Sequence, residues 1–541
     1  MRPRGTAVDD TDGLGRGGAD RPSLARSTAV MAAGTLASRI TGFARLSALA
    51  YALGFTRLTD SYNLANITPN IIYELVLGGV LSATLLPVFV DRLSGGREED
   101  DEAWRAISAV FTAVAALLVV VTAAFMMIAP VLVRLYTLGN NTPSVGEQRV
   151  VATSLLRMFA PQVALYGMIA VVTAALHARR RFGATMFAPV LNNLVVIGML
   201  LALPHVVDDV SLTGVRNDAG ARLLLGLGTT AGVAALAVAL LPALRGAGAR
   251  LRPVWDPGHP TVRTIVRLSG WTFGFVAANQ AALMVVLVLA NGKAGDVAAY
   301  QAGLVFFLLP HGVFAVSVMT ALQPDVAERW ALGDVAGFGR RVGKGLRTIG
   351  AVVVPAGVGY LCLAHPIVRV ALEHGALRST SASTTAGVLA MLAIGLPGFS
   401  AFLFLVKSFQ AMQDTRSVFF LYLVENGLNV VLAVALYPSL GVQGLALAYA
   451  LAYTGGAAAA LVVLQRRTKS VDTAFVVQTW VRVGLASAVM AGVVSVLSAV
   501  VEPALLRAIV GVLAGGTVYV LVARRLGVQE LSTLLPMRRR L

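Results

Sequence analysis

Long apolar stretches, broken by short runs of glycine, proline and charge, recur along the whole chain. A helix needs roughly 20 apolar residues to cross a hydrocarbon core, because lipid offers no partner to an unpaired backbone N–H or C=O. On that measure the punctuation predicts six spans over 27–54, 60–90, 104–133, 151–177, 184–205 and 220–244. After a polar stretch at 245–261 it predicts eight more, over 262–290, 296–322, 346–366, 384–412, 417–437, 442–464, 478–500 and 503–523. The expected fold is an all-α membrane protein of about 14 transmembrane helices.

The basic residues test that count, since cytoplasmic loops carry the Lys/Arg excess. With both termini cytoplasmic, roughly 31 Lys and Arg fall inside against about 10 outside, and one span more or fewer in the middle would reverse the bias downstream. A weak internal repeat spans the two halves. PNIIYELVLGGVLSATLLPVFVDR, ending the second span, pairs with LPHGVFAVSVMTALQPDVAER, ending the eighth, so that Pro87 and Arg92 match Pro324 and Arg329. HARRRFGATMFAPVLNN pairs in the same way with QAMQDTRSVFFLYLVEN. An offset of six spans preserves orientation and implies two pseudo-symmetric six-helix lobes, the layout of an alternating-access transporter. The expected divisions are a disordered cytoplasmic tail (1–25), an N-lobe (26–250), a C-lobe (251–470), two appended C-terminal helices (471–525) and a basic cytoplasmic tail (526–541).

Composition narrows the function classes. Apolar residues make up 57% of the chain and charged residues 13%, which leaves a membrane as the solvent. The net charge of +17 sits almost wholly between apolar stretches, so it reads as topology and not as a nucleic-acid surface. The single cysteine, Cys362, lies in an apolar segment and excludes an internal disulfide or a Cys-based zinc site. No cleavable signal peptide is evident before residue 25, and the first helix is expected to act as the uncleaved insertion signal.

Ionisable residues in mid-bilayer cost about 2.5–3.5 kcal/mol on insertion scales, so the few present here point to a cavity or a partner. Arg39 and Arg45 lie in the first span, about 120° apart on an ideal helix with Gly42 between them. Guanidinium groups fork onto phosphate or pyrophosphate oxygens; the structural alternative is an ion pair to Asp60 or Glu74. In the second span Asp60, Asn63, Asn70 and Glu74 fall within roughly an 80° arc, and Pro69 allows a kink in the middle of that stripe. Lys407, Gln410 and Asp414 share one face of the tenth span, with Lys407 deep enough to require a partner. Glu425 and Asn429, at i and i+4 in the eleventh, offer oxygens for a small cation or a proton, or for a hydrogen bond to a neighbouring helix. Asn192, Asn193, Asn279, Gln280 and Gln301 read as interhelical hydrogen-bonding residues. Six scattered histidines give no metal-ligand spacing and no catalytic constellation stands out, so an enzyme is not expected.

Taken together, SRITGFAR (38–45), TDSYNLANITPN (59–70) with the following LGGVLSATLLPVF, HARRRFGATMFAPVLNN and FQAMQDTR (409–416) resemble the MurJ/MviN lipid II flippase family of the multidrug/oligosaccharidyl-lipid/polysaccharide exporter superfamily. The resemblance extends over about residues 27–525, and the variant motifs are similar to those of actinobacterial members. It implies a two-lobed flippase moving lipid-linked peptidoglycan precursor from the inner to the outer leaflet. Arg39 and Arg45 match its pyrophosphate-binding positions, and Asp60 and the turn Asp414, Thr415, Arg416 match further motif positions. The pattern departs at Leu46, where the family commonly has Asp, at Tyr73, Glu74 and Gly78 in place of two arginines and a glutamate, and at Gly303 in place of a cavity arginine. Some members of that branch continue into a kinase-like region, not expected in a chain ending at Leu541. The expected partners are a lipid-linked glycan, membrane lipids and cell-wall synthesis proteins, with no cofactor beyond a coupling ion, Na⁺ or H⁺. Export of another polyprenyl-linked glycan or amphiphile, and a non-transporting scaffold of cell-wall assembly, are the alternatives.

Overall fold

The computed structural model describes residues 24–75, 97–179, 181–249, 251–256 and 270–531. Among these residues every regular element is helical. The first half comprises α1 (Leu24–Leu53), α2 (Arg57–Tyr73), α3 (Arg97–Tyr136), α4 (Val145–Phe159), α5 (Pro161–Ala178), α6 (Phe182–Val206), the short α7 (Leu212–Asn217) and α8 (Ala219–Gly246). The second comprises α9 (Gly270–Ala290), α10 (Asp296–Pro310), a π-helical turn (His311–Ala315), α11 (Val316–Ala331), α12 (Val335–Leu372), α13 (Ser379–Ile394), α14 (Leu396–Ala411), α15 (Thr415–Leu440) and α16 (Val442–Thr468). Two further helices follow, α17 (Thr473–Val500) and α18 (Ala504–Arg525).

Eleven helices among the described residues are long and apolar enough to cross a membrane, or twelve if the pair α13 and α14, bent by 50°, is one span. Helix α1 is not among them because Arg39 and Arg45 dilute its apolar character, and the predicted second span continues beyond Leu75 outside the described residues. The start of the predicted seventh span, 262–269, and both terminal tails also lie largely outside them.

Several boundaries have local causes. Asp218, Asp334, Asp414 and Asp472 cap α8, α12, α15 and α17, each carboxylate accepting a backbone N–H of the first turn. The bend between α13 and α14 falls at Gly395, whose missing side chain would collide with the backbone of Ala450 on α16. Helix α12 starts eleven residues before the predicted span, because the basic stretch from Val335 is helical although not apolar.

Two large buried clusters carry the packing, one built almost entirely from α1 to α8 and one mainly from α9 to α16. A third joins Ala351 and Leu363 of α12 to Val483, Met490 and Tyr519 of α17 and α18. At one end of the bundle three turns interlock. Gly54 (φ +60°), Gly295 (φ +86°) and Gly375 (φ +62°) adopt left-handed backbone, and a Cβ at Gly54 would sit 2.6 Å from the Ala376 carbonyl oxygen. A Cβ at Gly295 would sit 2.5 Å from the Phe55 carbonyl oxygen, and one at Gly375 would overlap Tyr51. The Ala376 N–H donates to the Tyr51 carbonyl at 2.9 Å, a backbone bond between the halves.

Candidate functional site

A cavity of about 370 Å³ lies between α1, α2, α5, α6 and α10, on the bundle side of that interlocked end. Arg45 and Gly42 enter it from α1, and Asn63, Asn66 and Asn70 from α2. Tyr62, Tyr166, Asn193 and Gln301 complete its polar lining, while Leu46, Leu49 and Val305 supply apolar wall. The three asparagines are spaced at i, i+3 and i+7, one face of a helix, which is why they converge. Asn193 donates to the Thr41 hydroxyl at 3.1 Å, tying α6 to α1 one turn from Arg45 on the side away from the floor.

Arg39 does not line this cavity. It is exposed beside the π-helical turn, where a Cβ on Gly312 would lie 3.2 Å from its Nη2. Neither Arg39 nor Arg45 forms an ion pair among the described residues, so the pairing with Asp60 or Glu74 is not what the structure contains. Next to Gly312, the buried His311 places Nδ1 2.9 Å from the Ser400 hydroxyl.

Asp60 belongs to the floor and not to the polar stripe. It is wholly buried, its carboxylate accepts the N–H groups of Gly295 (2.7 Å) and Ala298 (3.1 Å), and the Arg57 guanidinium stands 3.9 Å away. Arg57 in turn donates to the Asn291 carbonyl at 2.6 Å and the Asn291 side-chain oxygen at 3.3 Å. Gln148 donates to that same oxygen at 2.8 Å and accepts from Asn140 at 2.7 Å. This buried network joins α2, the end of α3 and α4 to the α9–α10 turn, and it seals the end below the cavity with satisfied polar groups.

The other predicted residues lie apart. Glu74 is half-buried just past α2, outside the cavity lining. Lys407 is exposed and has no ion-pair partner among the described residues, and Gln410 is half-buried; neither reaches the cavity. Asp414 caps α15 through the Ser417 N–H at 3.0 Å and pairs with Arg467 of α16, while Arg416 sits over the Phe420 ring. Partial burial pushes the Asp414 carboxyl up, but hydrogen bonds from Ser417 and the charge of Arg467 together outweigh it and hold the group below the usual carboxylate range. Thr415 opens α15, so this motif turn is a connector between helices. Gly303, where the resemblance implies a cavity arginine, faces α13, and a Cβ there would meet Val388 at 2.6 Å.

Glu425 and Asn429 are buried on α15, and both Glu425 carboxylate oxygens and Asn429 Oδ1 lack a hydrogen-bond partner among the described residues. The same holds for Oε1 of Gln280 on α9. Phe275 stacks on Tyr422 at 5.2 Å and Gly292 abuts the Tyr437 hydroxyl, so α9 and α15 run in parallel and Gln280 stands near the level of Glu425.

The family model for the lipid II flippase MurJ matches residues 49–512. The chain belongs to the MurJ family. Among MurJ relatives, a probable lipid II flippase MurJ of Rhizobium tropici is 28% identical over 483 residues, covering 89% of both chains. One from Thermotoga maritima is 26% identical over 516 residues, covering 95% of this chain and 99% of its own. The fold superposes on a solved lipid II flippase MurJ in an inward closed conformation with a TM-score of 0.76 at 20% identity, covering 92% of this chain and 98% of the other. An inward-facing multidrug resistance MATE transporter of the MOP superfamily superposes at 0.63 and 12% identity, covering 81% and 98%. MurJ membership makes this chain a multi-pass membrane protein of a transport family.

Of the cavity lining, Arg45, Asn63 and Asn70 are expected from the sequence as polar cavity residues, Asn193 and Gln301 are expected only as interhelical hydrogen-bonding residues, and Asn66, Tyr62 and Tyr166 are not expected. The asparagine spacing was available in the sequence. The two tyrosines were not separable from ordinary interior aromatics.

Proposed function

We propose that this MurJ family member carries lipid II, the lipid-linked peptidoglycan precursor, from the inner to the outer leaflet by alternating access. One observation carries the reading: a cavity lined by Arg45 and three asparagines lies directly above a sealed polar floor that ties the two halves together. A guanidinium among amides suits a diphosphate followed by sugar hydroxyls, and it leaves the isoprenoid tail to the bilayer. Arg39, beside Gly312, is the second pyrophosphate contact, engaged as the head group enters. With both termini cytoplasmic, as the distribution of basic residues supports, the sealed end faces outward. The halves bearing the two large cores act as the lobes that rock about the cavity, the floor network breaking as the outer end opens.

Glu425 and Asn429, with Gln280 opposite, form the coupling site for a small cation or a proton, because buried oxygens that meet no donor among the described residues are acceptors awaiting one. Export of a different polyprenyl-linked glycan is the second reading. It is favoured by the cavity lining, in which Arg45 is the single cation among the described residues, since Gly303 supplies none and the other polar groups described there are neutral.

Reconstitution with labelled lipid II, followed by measurement of its leaflet distribution, decides between them. Lipid II transfer that falls at least tenfold in Arg45→Ala is the expected result. No transfer of lipid II by the intact chain, with transfer of a polyprenyl-monophosphate sugar, moves the assignment to the second reading.

A further inference from the structure

At the opposite end of the bundle from the interlocked glycines, a recess of about 470 Å³ lies between α11, the first turns of α12 and the start of α17. Five cations line it: Arg329, Arg340, Arg341, Lys344 and Arg347. The four on α12 fall at i, i+1, i+4 and i+7 from Arg340, one face of the helix. At 38 residues α12 is about 57 Å long against a hydrocarbon core of about 30 Å, so its basic first turns stand in the interface beyond the lipid tails.

The walls are fixed by ion pairs. Asp325 accepts Arg341 at 2.8 Å and approaches Arg329 at 3.8 Å, Asp334 accepts Arg329 at 3.1 Å, and Glu530 accepts Arg347 at 2.7 Å. Arg347 also lies 4.2 Å over the Phe475 ring. The one carboxylate among the described residues of the lining, Asp472, is occupied in capping α17. Arg340 and Lys344 have no ion-pair partner among the described residues, although they sit one turn apart and repel each other. Gly337, Gly339 and Gly343 also line the recess, and the missing Cβ of Gly339 lets α12 approach the Ser470 backbone. Toward the membrane the recess is closed where Trp480 donates to the Leu346 carbonyl at 3.1 Å and packs on Gly350. A topological signal requires only that charge lie beside a span. It does not require five cations gathered round one recess, two of them in no ion pair among the described residues, with Arg340 acting on Asp334 only through its longer-range charge.

We propose that this recess is an anion site for a phosphate group, held between Arg340 and Lys344 with the fixed arginines as its walls. The phosphate is that of an anionic phospholipid head group reaching in from the interface, or a free phosphate from solution. The site is separate from the central cavity, and the proposal stands whether or not lipid II is the cargo.

The test uses the purified full chain in neutral detergent and in nanodiscs, with two probes at constant ionic strength. Inorganic phosphate is titrated in detergent. Phosphatidylglycerol is titrated into phosphatidylcholine nanodiscs, with the thermal unfolding midpoint and native mass spectrometry as readouts. Either probe should raise the midpoint of the intact chain, and Arg340→Gln/Lys344→Gln should weaken that response at least fivefold while Arg340→Lys/Lys344→Arg keeps it. A response to phosphate identifies a soluble ligand, and a response to phosphatidylglycerol alone identifies the lipid. If the double variant is destabilised without any anion, the exposed single change Arg340→Gln replaces it, with a twofold weakening expected. Equal responses of intact and variant chains in both arms, or no response in either, overturn the proposal.

Discussion

An arginine in an apolar helix has few places for its charge, and α1 solves that problem in two ways. Arg45 points into the asparagine-lined cavity, whereas Arg39 lies against the backbone of the π-helical turn at Gly312. A charge-assisted hydrogen bond is worth about 1.5–3 kcal/mol, roughly ten- to a hundredfold in an equilibrium. Arg45→Ala is therefore expected to slow lipid II transfer by about that factor, with Arg45→Lys losing less because the charge remains. Gly312→Leu should slow transfer as Arg39→Ala does, by displacing the guanidinium without deleting it, and leave the unfolding midpoint within about 2 °C of the parent. Both are read from initial rates in proteoliposomes. At this scale the sequence was informative wherever charge met an apolar run, as at Arg45. It put Asp60 on the cavity stripe, because helical periodicity assigns a face to a residue and says nothing of its depth along the axis. Asp60 shares the arc of Asn63 and Asn70 yet ends in the floor, bound to Gly295 and Ala298 from the other half.

Helices begin where a side chain can take up their first N–H groups, and this bundle uses aspartate repeatedly for the purpose. Asp334 and Asp414 both have carboxyls held below the usual range. At Asp334 the Gly337 N–H is the main cause, and at Asp414 the bonds from Ser417 and Arg467 outweigh burial. A depressed folded value means that the stabilisation is fully present above the ordinary carboxylate value of about 3.8 and is lost as pH falls through the lower folded value. The unfolding midpoint is thus expected to drop below pH 4, and the drop should flatten in Asp414→Asn, measured by a pH series of thermal melts in detergent. Elements were legible in the sequence in proportion to their apolar content. Helix α16 lies within a few residues of its predicted span, but the first turns of α12 escaped notice because apolar-run reading cannot see a basic amphipathic extension. The bend at Gly395 escaped it too, since it depends on the close approach of Ala450.

The molecule as a whole is held shut at one end by contacts between segments far apart in sequence, which no local pattern announces. Arg57 with Asn291, Asp60 with Gly295, and Tyr51 with Ala376 all join the halves. If opening at this end is part of the transport cycle, Tyr51→Cys/Ala376→Cys in a Cys362→Ala background will stop lipid II transfer under oxidising conditions and recover it on reduction. Transfer that is indifferent to the crosslink would exclude opening there. Asp60→Ala removes the acceptor for two buried N–H groups at about 1–3 kcal/mol. It should raise the labelling of a cysteine placed at Asn291 by an impermeant maleimide several-fold.

The interlocked turns at Gly54, Gly295 and Gly375 have a consequence for how such a protein diverges. Their fit is written in backbone conformation and the lack of a Cβ, so it is blind to whatever the cavity holds. The side chains around the cargo are free to drift toward a new head group while the seal is inherited unchanged. A library of all single substitutions, selected for transport, should therefore be permissive at Asn66 or Gln301 once the cargo is varied, and blank at those three glycines for every cargo tried.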